Sequence, residues 1–302
     1  LKKSVIAEIL LIFVAISWGM TFVPVAEAIK SVNVFSFLFW RFLIATIFMF
    51  VFCIKICKFD KKSIYYGLFL GFWLFCGFAF QTYALKYSYS STVAFITGLS
   101  VVLVPFLMLV FFKQSVNKFA FGGALIAFIG LYFLSGTGEF GLGKGEILSI
   151  ICAVCYALHI SFTGVLVSKC NIYAMVICEF FAVTILSFFG AIFFESGDTN
   201  SLFQGLKISF ETEFLMALIV CALFATVFAF FVQSYAQIYT TATKTALIFT
   251  LEPVSAGLAG YYIANEILSV TQVLGATAIL FGVLFSEIGS NLIKQATLKF
   301  EN

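Results

Sequence analysis

Five ionisable residues stand inside long apolar runs: Arg41, His159, Glu179, Lys244 and Glu252. An ionisable group in hydrocarbon is costly, so it usually faces a cavity or a partner. Arg41 could clamp a substrate carboxylate with its planar fork, or it could snorkel to the membrane surface. Glu179 could bind an amine or take up a proton, or pair with a lysine at the inner surface. Glu252 is followed by Pro253, which removes a backbone donor and crowds the carbonyl of Phe249. A carboxylate at such a break suits a cation or a proton, with a role in repeat packing as the alternative. His159 could contact substrate or sense protons; the alternative is a histidine satisfied by a neighbouring helix. Lys244 could attract anions to the inner mouth or simply follow the excess of cytoplasmic positive charge.

Aromatic side chains with polar tips form a second set: Trp18, Tyr83, Tyr87, Tyr156, Tyr235 and Tyr239. Walls of this kind suit amphiphilic ligands. These six, with Arg41 and His159, are the candidate substrate-binding residues. Glu179 and Glu252 are the candidates for proton or cation coupling. Catalytic chemistry has little to build on. There is one histidine, and neither His-x-x-x-His nor Gly-x-Ser-x-Gly occurs. Cys152-x-x-Cys155 lies mid-helix without a second ligand pair, so it reads as packing, and neither a metal site nor a cofactor is expected. No Gly-x-x-x-x-Gly-Lys-Ser/Thr loop is present to cradle ATP. The remaining cysteines read as reduced structural thiols.

The elements that position these residues must be membrane helices. Hydrophobic residues make up 63% of the 302 residues and charged ones 10%. That leaves too little polar surface to coat a soluble domain of this size. The net charge of +3 gives no reason to expect nucleic acid as a partner. The expected partners are the lipid bilayer and a small-molecule substrate, with either a monomer or a homodimer possible. Ten stretches reach the length of about 20 apolar residues that a bilayer demands. They are 5–26, 34–54, 64–85, 90–112, 118–135, 145–167, 172–194, 213–238, 243–263 and 269–288. The first reads as a retained span, since no small-residue cleavage site follows it. With the N-terminus in the cytoplasm, twelve Lys or Arg residues fall inside and five outside. The expectation is a multi-pass protein of the cell's inner membrane with both termini cytoplasmic.

The second half repeats the first. Gln81-Thr82-Tyr83-Ala84-Leu85-Lys86-Tyr87 recurs as Gln233-Ser234-Tyr235-Ala236-Gln237-Ile238-Tyr239, an offset of 152. The same offset joins Gly123 to Gly275 and Gly130 to Gly282. Earlier in the chain the offset is 138: Glu8 meets Glu146, Trp18 meets Tyr156, Arg41 meets Glu179 and Thr46 meets Thr184. Five spans per copy is an odd number, so the second copy must run upside down. The predicted fold is all-α, polytopic, with ten transmembrane helices as two inverted five-helix repeats, 1–138 and 139–302. Inverted repeats are a common architecture of secondary transporters. Gly67-x-x-x-Gly71 reads as a helix-contact motif or as internal packing.

These residues resemble the drug/metabolite transporter superfamily, EamA type, over about 5–288. Trp18-Gly19 and Trp40-Arg41-Phe42-Leu43-Ile44-Ala45 are similar to its opening pattern. Leu251-Glu252-Pro253-Val254, Asn265-Glu266-Ile267-Leu268-Ser269, Gly275 and Gly282 are similar to its closing one. The chain departs from the pattern at Pro105, four positions later than Pro253 in its repeat, at Gln114 where the second copy has Glu266, and at His159. The resemblance implies a central cavity, peripheral fifth and tenth spans, alternating access, and small polar or amphiphilic substrates. Amino acids and related compounds lead that class, exported or exchanged. A channel or a receptor-like binding protein is the alternative, an intramembrane enzyme a more remote one.

Overall fold

The computed structural model describes residues 2–88, 90–134, 143–196, 205–264 and 269–300, and these are helical with short joints. The elements are α1 (Lys3–Ser31), α2 (Val34–Cys53), α3 (Lys61–Ala84), α4 (Ser90–Thr97), α5 (Ser100–Val110), α6 (Lys118–Leu134), α7 (Lys144–Leu166), α8 (Ile172–Glu195), α9 (Thr212–Ala222), α10 (Ala229–Ala236), α11 (Ala242–Phe249), α12 (Leu251–Ala264) and α13 (Val270–Phe300). Among the described residues, seven helical runs are long and apolar enough to cross a bilayer, and 118–133 and 273–286 are shorter apolar ones. Together with the α11–α12 pair they account for the ten stretches read from the sequence. Large apolar side chains such as Phe52, Phe193 and Phe194 face outward, as a lipid-solvated surface requires. The expected repeat boundary at 138/139 and the Asn265–Leu268 part of the closing motif lie outside the described residues.

Among the described residues, three crossings are interrupted. The fourth breaks at Gly98–Leu99 and the ninth at Thr250. These positions are 152 apart, so the two repeats break at the same place. Pro253 does sit in the first turn of α12, as a proline near a break should. The fourth crossing breaks without a proline there, because Pro105 lies inside α5. The break therefore belongs to the repeat rather than to proline alone. The eighth crossing holds a π-helical stretch, Leu223–Phe228, between α9 and α10.

Inversion is visible in contacts between repeat counterparts. Thr46 Oγ1 and Thr184 Oγ1, which are 138 positions apart, lie 3.3 Å from each other. A residue that touches its own counterpart must sit on the two-fold axis relating the copies. The fifth and tenth crossings, α6 and α13, pack along one another. A Cβ on Gly123 would stand 2.6 Å from the Gly282 carbonyl oxygen, and one on Gly130 2.7 Å from that of Gly275. Since 123 corresponds to 275 and 130 to 282, each contact is the image of the other, and the two helices run antiparallel. Gly67 and Gly71 play the same part within the chain: their missing side chains let α3 lie against the α8 backbone at Glu179.

Candidate functional site

The central cavity lies where the breaks meet. Its walls come from α1, α2, α3, the α4–α5 joint, α7, α10 and the α11–α12 joint, so both repeats contribute. Gly98 and Ser100 line it from one broken crossing, and Thr250, Glu252 and Pro253 from the other. Gly19 lets the start of α12 approach α1: a side chain there would strike Ser255 Oγ and the Glu252 carbonyl.

Arg41 is 3% exposed, about two turns into α2. It does not snorkel. Its Nε donates to Thr226 Oγ1 at 2.7 Å and its Nη2 to the Ala225 carbonyl at 3.1 Å. The guanidinium lies 4.6 Å from the centre of the Phe78 ring. Trp18 Nε1 donates to the same Ala225 carbonyl at 2.9 Å. Both acceptors belong to the π-helical stretch, whose wider turns set carbonyls off the α-helical ladder. Among the described residues, Nη1 of Arg41 has no partner.

Glu252 lines the same cavity, and its carboxylate has no hydrogen bond or ion pair among the described residues. Its backbone carbonyl accepts from Ser255 Oγ at 2.8 Å. His159 also faces the cavity, and its Nε2 lies 2.7 Å from Glu179 Oε1. Glu179 is fully buried behind it, and its Oε2 is without a partner among the described residues. Glu179 thus meets neither Arg41 nor a surface lysine. Its partner is a histidine one helix away.

The structure brings Trp18, Arg41, Tyr156, His159 and Glu252 to one cavity. It places Tyr83, Tyr87, Tyr235 and Tyr239 elsewhere. Tyr83 donates its hydroxyl to Glu195 Oε1 at 2.6 Å, and Tyr87 is exposed, with the Lys144 ammonium 5.9 Å from its ring centre. Tyr235 and Tyr239 pack on each other with ring centres 5.2 Å apart, near Lys3 at the opposite end of the molecule. Helix geometry explains the division. A residue two positions on from Gln81 or Gln233 lies about 200° around the helix. When the glutamines face the cavity, those tyrosines face away. Gln81 and Gln233, first in their heptapeptides, are the cavity residues missed by attention to the aromatic ones. Lys244 forms an ion pair with Glu8, Nζ to Oε1 2.5 Å, at the end of the bundle carrying the N-terminus.

A model of the EamA-like transporter family matches residues 5–136 and again 143–287. An uncharacterized transporter of Archaeoglobus fulgidus is 33% identical over 282 residues, which cover 93% of this chain and 86% of that protein. A second uncharacterized transporter of the same organism is 25% identical over 268 residues, 86% of this chain and 89% of that one. A solved crystal structure superposes with a TM-score of 0.76 over 94% of this chain and 97% of its own, at 16% identity, which speaks for the fold alone. The chain belongs to the EamA-like transporter family.

Proposed function

We propose that this transporter is a secondary carrier of small zwitterionic solutes, amino acids or related metabolites, working by alternating access as an exporter or exchanger, with no catalytic step. One observation carries the reading: a cavity shared by both repeats holds an arginine with a spare donor and a carboxylate with no partner among the described residues. An unpaired carboxylate facing a cavity within the membrane is costly unless a ligand or a proton completes it. Arg41 Nη1 is suited to the carboxylate of such a solute and Glu252 to its ammonium. The N-termini of the half-helices α5 and α12 at the breaks favour the negative end. Positive charge concentrated on the N-terminal face supports an inner-membrane protein with both termini in the cytoplasm.

The coupling ion in this reading is a proton. Glu252 takes it in the absence of ligand, and the buried His159–Glu179 pair beside the cavity is the second protonatable group. Counterflow of radiolabelled amino acids in proteoliposomes tests both parts. Wild type should show saturable counterflow that an imposed pH gradient accelerates. Glu252→Gln should lose the pH response and raise half-saturation about tenfold or more, the effect of roughly 1.4 kcal/mol of lost binding. Arg41→Lys should weaken binding through the lost fork geometry. Wild-type kinetics in both variants would refute the site, and indifference to the pH gradient would refute the proton.

A further inference from the structure

The two repeats bring equivalent groups to the cavity but connect them differently. Tyr156, on the first helix of the second repeat, donates its hydroxyl to Gln81 Oε1 at 3.0 Å. The image of that pair under the repeat is Trp18 with Gln233. Trp18 Nε1 instead donates to the Ala225 carbonyl in the π-helical stretch. Gln233 is 1% exposed, lines the cavity, and has no hydrogen-bond partner among the described residues for either Oε1 or Nε2. Exchanging its amide oxygen and nitrogen changes nothing, because both positions are empty of partners.

The asymmetry has a local cause. Gly77 leaves room for the Tyr156 ring against α3: a side chain at position 77 would strike that ring. The counterpart of Gly77 is Ala229, fully buried on α10. The ring of Trp18 packs between Phe230 and Phe249 instead, with centres 5.2 and 4.7 Å away. The π turn supplies the acceptor that draws its N–H away from Gln233. One glutamine is thereby consumed by the protein and its twin is left open.

Buried amides are almost always satisfied, and one that is not calls for a ligand or a function. We propose that Gln233 is the specificity residue of the central cavity, pairing with a neutral hydrogen-bonding group on the solute, such as an amide or a hydroxyl. The proposal rests on the reading of this cavity as the solute site, with Arg41 and Glu252 holding the charged ends. A site built to hydrogen-bond a group discriminates against an isostere that lacks it, because the site's own polar atoms are then left unpaired.

Thermal unfolding of the purified full-length chain tests this with two isosteric pairs, L-threonine against L-valine and L-glutamine against L-methionine. Wild type should bind the polar member of each pair about tenfold tighter or more, read from ligand-induced shifts of the midpoint. Gln233→Leu should bring each ratio close to one. Without ligand, Gln233→Leu should unfold at the wild-type temperature or above it, since it removes buried polar atoms that have no partner. Gln81→Leu should unfold lower, since it strips the Tyr156 hydroxyl of its acceptor. Equal binding of both members by wild type, or a preference that survives Gln233→Leu, overturns the role of Gln233 and leaves the carrier reading standing. A drop in the unliganded midpoint of Gln233→Leu as large as that of Gln81→Leu overturns the open state of the amide. If none of the four solutes shifts wild type, the amino-acid reading itself falls, and the solute class assigned to Gln233 falls with it.

Discussion

The two ends of the bundle are built from the same repeat and closed by different means. At the N-terminal end, Glu8 pairs with Lys244. At the far end, its counterpart Glu146 accepts from Ser88 Oγ at 2.5 Å, so an uncharged hydroxyl does the corresponding work. Beneath the ion pair lies an apolar plug that includes Leu11, Val14, Met108 and Ala246. From Glu8 to Trp18, where the cavity begins on α1, the plug spans about 15 Å of helix. At the far end the cavity is lined as far as Leu85, the C-cap of α3, and the apolar cluster there is small, with Phe22, Ala84, Val93 and Ala94 as its buried members. The cavity therefore sits closer to the far face. The N-terminal end is the more thickly packed of the two.

Helix starts show the same contrast, and they give the largest expected effect. Asn33 and Asn171 are repeat counterparts at the N-caps of α2 and α8. Asn171 caps its own helix, accepting from the Ala174 amide at 3.1 Å. Asn33 makes no side-chain capping bond. In its place, Glu195 accepts from the Phe35 amide at 3.0 Å and from the Tyr83 hydroxyl at 2.6 Å. Glu195→Ala removes two bonds to a charged group and should cost about 3 kcal/mol. Asn171→Ala should cost about 1 kcal/mol. Denaturant unfolding of both variants checks the ranking, and equal losses would erase the distinction between the two ends.

The mouths come next. Lys244→Ala leaves Glu8 partly buried without its cation and should cost about 1–2 kcal/mol at low salt. High salt should shrink that difference, because screening already weakens the pair in wild type. Ser88→Ala removes a single hydroxyl donor and should cost about 1 kcal/mol or less. Its effect should change less with salt than that of Lys244→Ala. Unfolding midpoints at low and high salt distinguish the two, and a salt-independent Lys244→Ala would show that the ion pair contributes nothing to closure.

Much of this architecture is legible in the amino-acid sequence, since hydropathy and an odd number of spans per copy are enough to call for inversion. The contacts on the axis, Thr46 with Thr184 and the crossed glycines of α6 and α13, follow from residues visible beforehand as repeat partners. The cavity is less legible. Composition singles out charges and aromatic residues, whereas Gln81 and Gln233 are neutral and unremarkable until a helix face is assigned. The π-helical stretch at 223–228 has no signature in its apolar residues, yet it decides where Trp18 and Arg41 find their acceptor. The His159–Glu179 pair joins residues on separate helices, and one sequence contains no sign of that packing. Pro253 pointed correctly to a break, but the matching break at Gly98–Leu99 shows that proline was an incomplete reason for it.

The smallest expected effect lies at the N-terminal end and depends on pH. Asp60 caps α3, its Oδ1 accepting from the Lys62 and Ser63 amides at 2.9 Å each. The corresponding helix at the far end, α9, begins after Glu211, whose side chain makes no capping bond. The bonds from Ser63 hold the Asp60 carboxyl below the ordinary aspartate value. A carboxyl lowered in this way adds stability that is fully present above its unfolded value and is lost as pH falls through the folded one. Asp60→Asn keeps a capping oxygen but no charge, so it loses that pH-dependent share. Wild type should therefore unfold at a slightly higher temperature than Asp60→Asn near neutral pH, and the gap should close as the pH drops below the ordinary aspartate range. Parallel pH profiles for wild type and Asp60→Asn would mean that the charged cap at the N-terminal end adds nothing beyond what an amide supplies.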